Sequence, residues 1–130
     1  MTSLHHIYIC LNNFQETKKF YLELFSILKL SHISTVEDYS LYTYGNDNIH
    51  IGIMPVSPTN QNDKFDKFRI GLSHIAFKVD KEKQIQEILE FVRQNNLEDE
   101  GELEVRTHHL IEMPTIVFYC PSGIKIEITL

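Results

Sequence analysis

Four side chains in this sequence are of the types that bind transition metals, and each sits in a strand-like segment: His6, His50, His74 and Glu127. Imidazole and carboxylate together suit divalent first-row metals. Two histidines and one carboxylate with open positions form the facial arrangement used by non-haem iron. Open positions let a metal polarise a substrate oxygen or activate a bound water. A single strand histidine is ordinarily a hydrogen-bonded structural residue; these four stand out because the chain repeats itself around them.

The segments carrying them explain the convergence. His6-Ile7-Tyr8-Ile9-Cys10-Leu11 alternates polar and apolar residues, the period of a half-buried strand, and His74-Ile75-Ala76-Phe77-Lys78-Val79 repeats it in phase 68 positions later. An amphipathic helix follows each. The first has Asn13 as N-cap, Glu16 three residues on, and Phe20, Tyr21, Leu24, Phe25 and Leu28 on one face. The second has Asp80 as cap, Ile85, Ile88, Leu89 and Val92 as its stripe, and Asn95-Asn96 as a stop.

Turns at 44–48 and 121–123 feed the strands 49–54 and 124–130. Matching His50 with Glu127 gives an offset of 77, so the second half carries about nine extra residues. Residues 39–44 and 115–119 are the clearer of the intervening strands. Each half therefore reads as β-α-β-β-β, an α+β fold. Module 1 covers about residues 1–58, module 2 about 72–130, and a polar linker at about 55–71 joins them within one domain.

Strand phase places Ile7, Ile9 and Leu11 under the helix and His6, Tyr8 and Cys10 on the other face. It likewise groups His50 with Gly52 and Met54, His74 with Ala76 and Lys78, and Glu127 with Lys125 and Thr129. Two curved mixed sheets meeting about a pseudo-two-fold axis would enclose those faces in one cleft. His5, His32, His108 and His109 gain nothing from this symmetry and read as structural or surface residues. Cys10 reads as a small buried hydrophobe. Tyr8, Lys78, Lys125 and Arg69 are available to an anionic substrate.

At 130 residues the chain has the size of one domain, and 42% hydrophobic with 23% charged residues is an ordinary folded composition. A formal charge of −6 argues against nucleic acid as a partner. Two cysteines make no disulfide framework, the N-terminus has no secretory pattern, and no apolar run nears the ~20 residues of a membrane span. The expectation is a cytoplasmic protein with neither nucleic-acid nor membrane partners.

The sequence resembles the vicinal oxygen chelate superfamily, which contains glyoxalases, extradiol dioxygenases, fosfomycin-resistance proteins and metal-free antibiotic-binding proteins. The residues carrying the resemblance are His6-Ile7 through Phe14 with Lys19-Phe20-Tyr21, the stretch 65–77 that opens the second module, and the ending Gly123-Ile124-Lys125-Ile126-Glu127. The resemblance implies one divalent ion (zinc, nickel, manganese or iron) on His6, His74 and Glu127. It places His50 where glyoxalases carry a fourth ligand, usually Glu, so that His50 is a ligand or a base beside the metal. Cys120-Pro121-Ser122-Gly123 departs from the family's Asp-Pro-Asp-Gly turn.

The implied function is a glyoxalase-like lyase or isomerase acting on a small substrate with vicinal oxygens. His50 and Glu127 are its catalytic candidates and a homodimer its expected assembly. An extradiol-type dioxygenase, a fosfomycin-type thiol transferase and a non-catalytic small-molecule resistance protein are the other functions such a resemblance admits.

Overall fold

The alternation of the first segment is realised without a slip. The computed structural model describes residues 1–97, 106–107 and 114–130. In it β1 spans His6–Leu11, with Ile9 and Leu11 buried and His6, Tyr8 and Cys10 exposed. After it α1, Phe14–Ile27, buries Phe20, Tyr21, Leu24 and Phe25, the stripe expected from their spacing.

Asn13 occupies the N-cap but works differently from a usual cap. Its backbone is left-handed, φ 45°, a conformation Asn tolerates, and its side-chain amide donates to the Glu16 carboxylate instead of accepting from the helix. At the other end Lys29 takes the left-handed position usually given to Gly, φ 59°. There the Leu30 amide bonds back to the Phe25 carbonyl at 2.9 Å.

The chain then forms β2, Ser31–Val36, β3, Leu41–Gly45, and β4, His50–Pro55. The sheet order is β1-β4-β3-β2, with β1 parallel to β4 and the other pairs antiparallel. β3 begins two residues later than the expected strand at Tyr39. Residues Glu37–Tyr39 form a 3-10 turn closed by a left-handed Ser40, whose amide bonds to the Glu37 carbonyl. Asn46 closes the next turn, its side-chain oxygen accepting from the Asn48 and Ile49 amides at 2.8 and 3.2 Å.

The second half repeats the pattern: β5, His74–Lys78; α2, Glu82–Gln94; β6, Arg106–Thr107; β7, Pro114–Tyr119; and β8, Lys125–Thr129. Its order is β5-β8-β7-β6, again with the first and last strands parallel. Each half is thus a β-α-β-β-β unit with a mixed four-stranded sheet, and the fold is α+β. Contacts divide the chain into Met1–Asp63 and Lys64–Leu130.

α2 buries Ile85, Ile88, Leu89 and Val92 as expected, but its cap is Lys81, not Asp80. The first turn closes through the Gln84 amide on the Lys81 carbonyl, one residue beyond the acidic side chain. Its C-terminus lies at Asn95-Asn96, where Asn96 is left-handed, φ 49°. Gly123, φ 85°, gives the β7–β8 turn the geometry that the Gly123 amide to Cys120 carbonyl bond of 2.8 Å requires. His108 and His109 lie outside the described residues. Among the described residues no helix is long and apolar enough to cross a membrane.

Candidate metal centre

In the second unit, β5 and β8 bring His74 and Glu127 together. The parallel ladder sets His74 opposite Lys125 and Ala76 opposite Glu127, all on the face away from α2. Glu127 is 7% exposed because β8 is flanked on both sides, with Ala76 on one and Val117 on the other. A carboxylate so buried requires compensating charge. His74 Nε2 lies 3.7 Å and Lys125 Nζ 3.3 Å from its Oε1. The other imidazole nitrogen of His74, Nδ1, is 3.2 Å from Ser73 Oγ, which leaves Nε2 turned toward the carboxylate.

The first unit repeats this with a difference. His6 Nδ1 is held by the residue before it, His5 Nδ1, at 2.8 Å, as Ser73 holds His74. One nitrogen of each pair of partners is thus engaged by position i−1, a second contact of the kind that fixes the tautomer and orientation of a ligating imidazole. The His5 ring also packs edge-on against His50, 5.2 Å between centroids. His50 stands opposite His6 in the β1–β4 ladder. His5 and His50, with Lys29 and Asp47, line an open cavity of about 630 Å³ in this unit.

The two ladders revise the internal match. His6 pairs with His50 and Tyr8 with Gly52, whereas His74 pairs with Lys125 and Ala76 with Glu127. His50 therefore corresponds to Lys125, and Gly52 to Glu127. The offset is 75 rather than 77, and the extra length of the second half is seven residues rather than nine. The first half has no carboxylate at the Glu127 position. Tyr8 covers it instead, its ring lying over Gly52 and 4.7 Å from the His6 ring.

A Cβ on Gly52 would fall 2.5 Å from Tyr8 Cδ1 and 2.9 Å from Leu41 Cδ1. Gly52→Ala is accordingly expected to cost about 1–3 kcal/mol by overpacking. Tyr8→Ala should relieve most of that cost in the double variant; urea unfolding of the four proteins of this cycle measures both effects.

Of the four expected site residues, His74 and Glu127 form one pair, and His6 and His50 are ladder partners that each contact His5. Among the described residues no three His, Cys, Asp or Glu side chains group tightly enough to hold an ion. By sequence pattern His5 reads as a structural or surface residue and Ser73 carries no role, yet each contacts the histidine that follows it. Their only signal was position, each directly preceding a strand-opening histidine. Cys10 is exposed rather than buried, since β1 is an edge strand and no helix covers that face. Lys78 and Arg69 are exposed, and His32 is a surface residue bonded to Thr35 at 2.8 Å.

Several solved structures share this fold. A candidate glyoxalase from Bacillus halodurans superposes with a TM-score of 0.82 at 19% identity, covering 97% of this chain and 93% of that one. A glyoxalase family protein from Enterococcus faecalis gives 0.70 at 22% identity over 100% and 98%. A genomically encoded fosfomycin resistance protein from Listeria monocytogenes gives 0.67 at 19% over 99% and 91%. At these identities the likeness is one of fold. No curated protein matches the sequence. The family model of the Glyoxalase/Bleomycin resistance protein/Dioxygenase superfamily, however, matches residues 3–128. That span takes in nearly all of both β-α-β-β-β units, and the chain belongs to the Glyoxalase/Bleomycin resistance protein/Dioxygenase superfamily, the vicinal oxygen chelate proteins.

Proposed function

We propose that the protein is a metal-dependent lyase or isomerase of the glyoxalase kind, acting on a small molecule with two neighbouring oxygens. His6, His74 and Glu127 hold the ion, and His50 stays off it as a base. The observation that carries this reading is the matched orientation of His6 and His74. In both, Nδ1 lies within hydrogen-bond distance of the preceding side chain, and Nε2 is the nitrogen we assign to the ion. Imidazole and carboxylate are donor types that suit a divalent ion. Bonds of roughly 2.0–2.2 Å put two donors of one ion about 3–3.5 Å apart, and His74 and Glu127 need to close only slightly from 3.7 Å.

The ligand set proposed is the one the family resemblance implies, and a homodimer is the assembly we expect for it. The bound ion, zinc, nickel, manganese or iron, supplies Lewis acidity to the two substrate oxygens. His50 takes up a proton from the substrate carbon and returns it, with the His5 ring packed against it to limit its rotation. Glu127 supplies the single negative charge among the ligands.

Ser73→Ala is expected to weaken divalent-metal affinity about tenfold while leaving the fold intact, the usual scale for a second contact on a ligating imidazole. Calorimetric titration with zinc checks it; unchanged affinity would detach Ser73 from the site. Turnover is tested on 2-oxoaldehyde–thiol adducts with metal-loaded protein, where metal-dependent product formation lost in His50→Ala is expected.

A second reading, an extradiol-type dioxygenase, draws on Gly52. With no carboxylate at the Glu127-equivalent position, the protein ligands number two imidazoles and one carboxylate, a set that also suits iron and dioxygen. Oxygen consumption with catechols by iron-loaded protein, and no action on the thiol adducts, would replace the first reading with this one.

A further inference from the structure

Glu127 already has a resident cation. Lys125 sits two residues earlier on the same face of β8, with Nζ 3.3 Å from Glu127 Oε1, closer than His74 Nε2 at 3.7 Å. This is no loose surface pair, because the two side chains are only 15% and 9% exposed. An ammonium at that distance and depth holds the carboxylate through a charge-assisted contact that water and salt screen poorly. A divalent ion on His74 and Glu127 would share that carboxylate with the ammonium beside it.

From this geometry we infer that Lys125 is an exchangeable counter-cation: it holds Glu127 in the metal-free protein, sets how tightly the ion binds, and on metal entry transfers its charge to an anionic group on the substrate. The inference rests on the metal-site reading above. Like charges in a half-buried site repel strongly, so the ammonium raises the free energy of the metal-bound state. One carboxylate facing a dication and an ammonium also leaves an excess of positive charge, which is costly away from bulk water. A substrate bearing a carboxylate or other anion next to its vicinal oxygens supplies the missing negative charge. The first half differs at this level: the matching ladder position holds His50, the base candidate, so the cation at Lys125 belongs to the second half.

The test compares wild type, Lys125→Met, Lys125→Gln and Lys125→Arg, with thermal unfolding confirming that each is folded. In calorimetric titration with manganese, Met and Gln are expected to tighten binding about tenfold, whereas Arg, which keeps the charge, stays within about threefold of wild type. Oxalate, a vicinal-oxygen dianion, then probes the metal-loaded proteins; its affinity is expected to fall about tenfold in Met and Gln and to survive in Arg. Manganese affinities equal across all four proteins would overturn the counter-cation role while leaving the metal site standing. Tighter manganese with unchanged oxalate would overturn the substrate half. Absence of manganese binding in every protein would overturn the metal-site reading itself and this inference with it.

Discussion

Glu127→Gln is expected to lower divalent-metal affinity at least about a hundredfold, beyond the range seen when only a second contact on a ligand is lost. The amide preserves the shape of a side chain that is 7% exposed, so the fold should survive. What disappears is the negative charge, and no other acidic residue occurs on β8 or on the strands beside it, β5 and β7. The amide also leaves the Lys125 ammonium, 3.3 Å away, against a neutral group. A small stability loss should therefore accompany the large loss of metal. Metal content after dialysis, with titration of the apo proteins, separates the two effects. Stoichiometric metal retained by the variant would remove Glu127 from the site.

Phe25→Ala should have the largest effect on stability. Phe25 is fully buried in α1, with ring centroids 5.6 Å from Tyr21 and 5.4 Å from Tyr44. Truncation leaves a cavity between α1 and β3 and is expected to cost about 3–5 kcal/mol, or about 10–20 °C in Tm for a chain of this size. β3 pairs directly with β4, Gly45 opposite His50, so the backing of His50 loosens with it. Thermal unfolding followed by circular dichroism measures the loss; a drop of under about 1 kcal/mol would mean that the surroundings collapse into the space.

Strict alternation made the site-bearing faces legible in the sequence. His6 to Leu11 and His74 to Lys78 each have one face under a helix and one without, and their residues segregate accordingly. The helices were legible for the same reason, through the stripes ending at Leu28 and Val92. β2 was not. It is an edge strand, mostly exposed on both faces, so Ser31 to Val36 carries no apolar period to read.

At one point side-chain chemistry misaligns the halves, because His50 and Glu127 are both of metal-ligand type and attract each other in a match by chemistry. Register follows backbone pairing, and that aligns His50 with Lys125 and the side-chain-less Gly52 with Glu127. Glycine gives no chemical signal, and only the Tyr8 ring lying over it reveals what fills the place. The roles of His5 and Ser73 were equally hidden, since a contact from position i−1 depends on rotamers and not on periodicity.

X-ray absorption on the zinc-loaded protein tests the proposed ligand set, His6, His74 and Glu127, most directly. Two imidazoles per zinc are expected in wild type, with light-atom neighbours at about 2.0–2.2 Å, and one imidazole with weakened binding in His6→Ala. Two imidazoles persisting in His6→Ala, or no zinc held by the wild type, would contradict it.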